Sequence, residues 1–422
     1  MKPQNLIVLS LDEVRPDHLS CYGYDRIKTP NIDRIAKDGV LFETCIASSC
    51  LTPICMSSVL SGVNPPVHGL RDPFSVIGSK MVSEILKDRG YKTSAFVGNG
   101  LLGPTHGFKN GFDFFDEPTE EGAWVLHSYP GTEDKGKFYE GNWWVDRLVS
   151  WLEDNASSPF FVWGHHYETH EGAEKALLRR GLLEEGKLSE FSYYDAKIKL
   201  ADEKVLGPIF HTLQELAVFE DTTVVVMSDH GTTLGEHPAN PIPWRDGVTY
   251  PQHTTMHDTD LRIALVMKGK GLPRNKRVKG MAREIDLAPT LLQLLGVNTI
   301  HQFGGIDLRP FIESGEVRGL VAYAEELFDK RGPGDFQAIR TDRYKYIVDR
   351  RHENTEQFYD LENDPGEQTN IIDILDEDEQ LLLKEAREVT DTYLGTKTDR
   401  VRLSEQETEK IKWRLRTLGY TA

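Results

Sequence analysis

Five short apolar runs constrain what this chain can fold into. Residues Asn5–Leu11 (NLIVLSL) are almost continuously apolar and stop at Asp12 and Glu13; comparable runs occupy 93–97, 159–164, 222–227 and 262–267. A strand can be apolar on both faces only where both faces are covered, which is the situation of a strand inside a parallel sheet. Helical patterns over 80–89, 143–153 and 193–216 separate the runs. A shorter helix over 32–38 follows Thr29-Pro30-Asn31, with Thr29 or Asn31 as its cap. This alternation predicts an α/β fold with a mixed, mostly parallel sheet flanked by helices. The pattern changes near residue 315. Runs at 321–325, 336–341, 344–349 and 357–361 are short and divided by turns, as in an antiparallel meander, and helical stretches at 377–393 and 404–418 close the chain. The chain therefore divides into a large domain over 1–315 and a smaller α+β subdomain, built on an antiparallel sheet, over 316–422.

Charge removes several classes of function. With 49 Lys and Arg against 67 Asp and Glu, the net charge is -18. Phosphate backbones and anionic lipid surfaces are held by basic side chains, so neither nucleic acid nor membrane is expected as a partner. Residues 351–400 carry 15 acidic against 5 basic side chains, which places much of the acidity in the small subdomain. No apolar run approaches the ~18 residues that span a bilayer. The first apolar stretch runs straight into Asp12-Glu13, without a basic segment before it or a small-residue cleavage site. Cys21, Cys45, Cys50 and Cys55 are too few and too clustered for a disulfide framework and match no common zinc spacing. A cytoplasmic location is expected.

Ligands of open α/β sheets collect at the carboxyl ends of the strands. Two such ends carry metal-ligand chemistry here: Asp12-Glu13 after the first run, and Asp229-His230 after the fourth. Carboxylates with an imidazole suit a divalent ion, Mn, Zn, Ca or Mg, although acidic strand ends are also common as solvated turns. Between them lies Cys50-Leu51-Thr52-Pro53-Ile54-Cys55-Met56-Ser57-Ser58-Val59-Leu60-Ser61-Gly62, a loop entering a short helix that ends at Gly62. A hydroxyl at a helix N-terminus faces unpaired N–H groups and the positive dipole end, a good position for a nucleophile acting on a tetrahedral anion. The plainer alternative makes Thr52 an N-cap. Residues 229–260 hold four His and four Pro with little periodicity, and a loop that long in an α/β domain is usually functional.

These segments together resemble a sulfatase-type member of the alkaline phosphatase superfamily. The resemblance rests on LDEVRPDHLSCYGY, TPNIDRIAKDGVLFETCIASS, Asn64-Pro65-Pro66-Val67-His68-Gly69, SDHGTTLGEH, Ile285-Asp286-Leu287-Ala288-Pro289-Thr290 and, near the C-terminus, YDLENDP, in the family's order and almost end to end. It implies an alkaline-phosphatase-like fold in which Asp12, Asp229, His230 and Thr52 hold a divalent metal. Glu13 stands where many sulfatases have a second Asp; one methylene longer, it either coordinates, hydrogen-bonds a ligand or points away. His165 and His170 in GHHYETH fit a family His pair that contacts the transferred group's oxygens or the leaving group. His253, five residues before Asp258, stands where sulfatases often carry a substrate-binding Lys, and is expected with His170 as a proton donor. His166 is read as an ordinary packed or exposed His, and His237 and His257 as structural.

The pattern breaks at the nucleophile. Sulfatases proper carry Cys-x-Pro-x-Arg, whose Cys is oxidised to formylglycine. Counted back from Gly62, the Cys position is Thr52 and the Arg position is Met56, while Cys50 and Cys55 are out of register. Formylglycine is therefore not expected. A Thr here is similar to the nucleophile of phosphoglycerol and phosphoethanolamine transferases and of phosphodiesterase-like members. The resemblance thus implies a metal-dependent hydrolase, or transferase, of small phosphate or sulfate esters. It would act through a covalent intermediate on Thr52, with phosphodiesters and phosphomonoesters preferred. Arg71 is the candidate substitute for the missing site cation, set against an ordinary surface Arg. The rival readings are a sulfatase proper, and a member that has lost catalysis and serves as a binding scaffold. Specificity is expected in loops, and residues 117–141, with Trp124, Tyr129, Tyr139 and the nearby Trp143 and Trp144, line a substrate pocket or simply pack.

Overall fold

The computed structural model describes residues 4–117, 143–170, 190–237, 255–329, 332–395 and 402–417. Its large sheet contains β1 (Asn5–Leu11), β2 (Val40–Ile46), β3 (Lys92–Val97), β4 (Phe114–Asp116), β5 (Phe160–His166), β6 (Thr222–Ser228), β7 (Arg262–Ile263), β8 (Leu265–Lys268), β9 (Lys276–Arg283) and β10 (Glu316–Val317). The spatial order is β10-β9-β2-β8-β6-β1-β5-β3-β4, with β7 paired to β2. β6, β1, β5, β3 and β4 run parallel to one another, as do β2, β9 and β10. β8 is antiparallel to both β6 and β2, which makes the sheet mixed but mostly parallel. β1, β5 and β6 are buried along their whole length, as their unbroken apolar sequences require.

Helix α1 (Pro30–Asp38) starts at Thr29 with Pro30 in its first turn. Its first-turn N–H groups are capped from a distance: the Asp202 carboxylate accepts from Asn31 N (3.1 Å) and Ile32 N (2.9 Å). The helix expected over 193–216 is interrupted by a π turn over Asp202–Leu206, between segments Glu190–Ala201 and Gly207–Glu215. Pro208 explains it, because a prolyl ring lacks an N–H and crowds the preceding turn, and a wider turn accommodates both faults.

The second sheet has the order β11-β12-β13-β14, formed by β11 (Ala322–Asp329), β12 (Gly332–Arg340), β13 (Tyr344–Asp349) and β14 (Gln357–Asp360), antiparallel throughout. β10 belongs to the large sheet, so the first residues after 315 still serve the large domain. The small sheet packs directly onto the large one. Ala322, Ala324, Ala338, Ile347 and Tyr359 share an apolar cluster with Ile46, Cys50, Met256 and Met281. Lys345, fully buried, bonds Asp258 (2.8 Å) and Glu367 (2.9 Å), tying the small sheet to the segment that follows β6. No helix of the described residues is long and apolar enough to cross a membrane.

Candidate active site

Register aligns the acidic strand ends. β1 lies between β5 and β6, with Ser10 opposite His165 and Leu11 opposite both His166 and Ser228. One residue further, Asp12 and Asp229 therefore emerge side by side, with His165 beside them; all three are fully buried. Asp12 N bonds the His166 carbonyl (3.0 Å), extending the β1–β5 ladder into the site. Glu13 turns the chain away with a left-handed backbone, φ 58°. That turn is held on both sides: Glu13 N donates to Asp229 Oδ1 (3.1 Å), and its carbonyl accepts from Tyr194 Oη (2.6 Å).

Helix α2 (Thr52–Ser61) brings in the hydroxyl. Its cap is Leu51, not Thr52, and Pro53 occupies the first turn. Freed from capping, Thr52 Oγ1 lies 3.4 Å from Asp12 Oδ2 and 3.4 Å from His230 Nε2. His230 Nδ1 faces the Gly231 carbonyl at 2.8 Å; since a carbonyl only accepts, Nδ1 carries the hydrogen and Nε2 presents a lone pair. That lone pair sits 3.8 Å from Asp12 Oδ1 and 3.6 Å from Asp229 Oδ2. Asp229 Oδ2 is buried and accepts no hydrogen bond among the described residues. Acceptors converging this way in a buried space call for a cation. Donor atoms of Asp12, His165 and Asp229 lie within 4.8 Å of one another, and so do those of Asp12, Glu13 and His170. The residues present therefore fit a divalent ion.

The imidazoles differ in their surroundings. His165 Nε2 is 3.2 Å from Asp12 Oδ2 and Nδ1 is 2.9 Å from Ser10 Oγ. Burial pushes its pKa down to about 4 against the opposing charge of Asp229, so it is neutral near pH 7. His170 Nε2 faces Glu13 Oε1 at 3.2 Å, and its ring stacks on Tyr167. His253 and residues 118–142 lie outside the described residues, so the specificity segment and one expected proton donor carry no structural account. His237 and His257 stack on each other at 3.7 Å, consistent with a packing role. Two site neighbours have no sequence motif: Ser10, inside β1, and Asn99, whose Nδ2 reaches toward Asp12 Oδ2 at 3.5 Å. Only Asn99 left a signal, its place just past the carboxyl end of β3.

Two expectations need correction. Arg71 is not a surface residue: it is 1% exposed and clasps Glu325 through Nε (2.6 Å) and Nη2 (2.5 Å). The distance in sequence between 71 and 325 concealed the pair. Thr52 as an N-cap is also excluded, because the cap is Leu51. Cys50 and Cys55 are buried. Burial, reinforced by nearby carboxylates, pushes the thiols of Cys50 and Cys55 well above their usual value, and Cys55 Sγ donates to the Ser49 carbonyl. Alkylation of the native protein is expected to leave both unlabelled, with labelling after unfolding, as peptide mass spectrometry would read.

A buried polar chain supports α2 from behind. Glu284 Oε1 accepts from Ser48 N (2.9 Å) and from Ser48 Oγ; Ser48 Oγ lies 2.6 Å from Ser58 Oγ, which is 3.0 Å from His68 Nε2. His68 Nδ1 accepts from Leu70 N (3.2 Å), so Nε2 carries the hydrogen of a neutral ring. Burial, with Arg71 nearby, pushes the His68 pKa down to about 3. Because the folded value lies below the unfolded one, its stabilising contribution is complete above about pH 6.5 and is lost as pH falls toward the folded value. The loss amounts to about 2 kcal/mol at pH 5. Urea unfolding at pH 7 and pH 5 is expected to show His68→Gln losing less stability on acidification than wild type, by about that amount.

With the geometry in place, comparison with known proteins gives a consistent answer. The sulfatase family's sequence pattern matches residues 4–297, and that of the N-sulphoglucosamine sulphohydrolase C-terminal region matches residues 249–392. An N-acetylglucosamine-6-O-sulfatase of Bacteroides thetaiotaomicron is 21% identical, covering 88% of this chain and 83% of that protein. A multifunctional alkaline phosphatase superfamily protein of Trinickia caryophylli is 23% identical, covering 88% and 91%. Among solved structures, one in complex with its substrate D-glucosamine-2-N,6-O-disulfate superposes with a TM-score of 0.74 at 19% identity, covering 93% of this chain and 98% of that one. The phosphonate monoester hydrolase of Agrobacterium radiobacter superposes at 0.71 with 20% identity, covering 95% and 100%.

Proposed function

The chain belongs to the sulfatase family of ester hydrolases, and from that premise we propose that it cleaves small phosphate mono- and diesters with Thr52 as nucleophile. The observation that carries this reading is the position of Thr52 Oγ1, 3.4 Å from both Asp12 Oδ2 and His230 Nε2 at the N-terminus of α2. Asp12, Asp229, His165 and His230 would hold the divalent ion the family uses. When bound, it supplies positive charge that lowers the Thr52 hydroxyl's pKa and offsets charge on the transferred group.

The remaining steps belong to the side chains. With His230 Nε2 committed to the ion, Asp12 Oδ2 is the acceptor within reach of the Thr52 proton. Oxygen Oγ1 bonds the ester's phosphorus as the bond to the departing alkoxide breaks, leaving a covalent ester on Thr52, and the alkoxide takes up a proton from water. Water then cleaves that ester; an acceptor alcohol in its place would make the reaction a transfer. The first-turn N–H groups of α2 favour the anion throughout. Neutral His165 beside Asp12 binds without adding charge.

The family's sulfatases and the sulfated ligand of one structural neighbour favour sulfate esters as the second reading. One experiment separates them: acid-quench during turnover, followed by high-resolution mass spectrometry of the peptide containing residues 50–55. Phosphate on Thr52 is expected. Sulfate on Thr52 would keep the nucleophile and change the substrate. Formylglycine at Cys50 or Cys55, with Thr52 unmodified, would overturn both assignments.

A further inference from the structure

The hydroxyl of Thr52 is not held by its own contacts. Those to Asp12 Oδ2 and His230 Nε2 are both 3.4 Å long, and the cap residue of α2, Leu51, makes no side-chain bond to the helix. Its position comes from the backbone that leads into α2, which is tied at Ser48, four residues earlier. Ile46 lies opposite Arg283 in the β2–β9 ladder, so the next residue, Glu284, emerges level with the chain leaving β2. Glu284 opens the single turn Glu284–Asp286. Its Oε1 accepts from Ser48 N (2.9 Å) and from Ser48 Oγ. The same Ser48 hydroxyl lies 2.6 Å from Ser58 Oγ, in the second turn of α2. We propose that Glu284 is a positioning residue for the reaction: one carboxyl group ties the segment entering α2 to the body of the helix and so sets Thr52 against Asp12 and His230. The effect on turnover rests on the proposed role of Thr52; the effect on its position does not.

Burial makes this tether firm. Glu284, Ser48 and Ser58 are all buried, and a bond between buried polar groups is costly to break because no water replaces the lost partner. Ser48 is held at every polar group: its carbonyl accepts from Glu325 N (3.0 Å), while Glu284 takes its N–H and its hydroxyl. Glu284 Oε2 has no hydrogen-bond partner among the described residues, so the tether runs through Oε1 alone. Burial, with Asp229 nearby and against the two bonds from Ser48, pushes the Glu284 carboxyl well above its usual pKa and favours the neutral acid. A neutral carboxyl and a carboxamide present the same accepting oxygen, so glutamine can stand in for Glu284. Alanine cannot. It strips the Ser48 N–H and hydroxyl of their acceptor and opens space beneath α2.

The test pairs kinetics with position, on the full chain, with p-nitrophenyl phosphate and bis(p-nitrophenyl) phosphate as substrates. Glu284→Ala should lower kcat by about 10^2-fold, the scale of a misplacement near 1 Å, with KM changed by less than about twofold. Ser48→Ala keeps the loop but loses the hydroxyl's two contacts, and should lose about tenfold. Glu284→Gln should stay within about threefold of wild type. Assays well below each variant's melting temperature keep any loss of folded protein out of kcat. Crystal structures should show Thr52 Oγ1 displaced by about 1 Å in Glu284→Ala and in place in Glu284→Gln. A kcat within about threefold of wild type in Glu284→Ala, or an equal loss in Glu284→Gln, would overturn the inference. Where Glu284→Ala fails to fold, Ser48→Ala decides, and an unmoved Thr52 with unchanged kcat there would sink it. Thr52 phosphorylated at the wild-type rate in Glu284→Ala would remove the tether and leave the nucleophile standing. A displaced Thr52 in a protein whose wild type never carries phosphate there would do the reverse.

Discussion

Thr52→Ala should lower kcat by on the order of 10^4-fold or more, because it removes the hydroxyl that, among the described residues, lies against both Asp12 and His230. The fold should be almost indifferent to the change. Both contacts of Oγ1 are 3.4 Å long, outside the range of strong hydrogen bonds, and α2 is capped by Leu51 and opened by Pro53 whether or not the hydroxyl is present. Thermal melting of the variant should therefore stay within about 1 kcal/mol of wild type. Thr52→Ser keeps the oxygen and loses a methyl group, so it should retain measurable turnover. These contrasts separate the nucleophile from the scaffold reading. A scaffold would show no turnover in any form and no phosphate or sulfate on Thr52, whereas full activity in Thr52→Ala would place the nucleophile elsewhere.

Much of this candidate site was legible before the structure because the carboxylates and imidazoles that could hold a metal sit at strand ends. A buried parallel strand advertises itself as an apolar run, and the first polar residues after it are the ones the sheet delivers to its carboxyl edge; Asp12, Asp229 and His165 follow that rule. The missed strands break it. β2 carries Glu43 and Thr44 in its middle, and β9 alternates basic and apolar residues, because each is covered on only part of its surface. The unresolved choices at Glu13 and Arg71 are of another kind. Glu13 was an open question because its side chain's direction depends on a left-handed φ that no local signal marks in a non-glycine residue. Arg71 was misplaced because its partner, Glu325, belongs to the other sheet.

That partnership yields the second large effect. Arg71→Met should destabilise the protein by about 3–5 kcal/mol, since it strands the fully buried Glu325 carboxylate. Tyr323 Oη, 2.6 Å from Glu325 Oε2, supplies a hydrogen bond but no charge. The double variant Arg71→Met with Glu325→Met should recover most of that loss, because removing both ions also removes their desolvation cost. Urea unfolding of the two single variants and the double variant gives the coupling directly. Activity should fall as well, for a structural reason. Glu325 N bonds the Ser48 carbonyl (3.0 Å) and the adjacent Glu326 bonds Ser49 Oγ (2.9 Å), so the small sheet holds the segment that leads into Thr52. A loosened segment should lower kcat, and the double variant should restore it in part. If Arg71 instead bound the substrate's anionic group, Arg71→Met would raise KM with stability intact, and the second substitution would restore nothing.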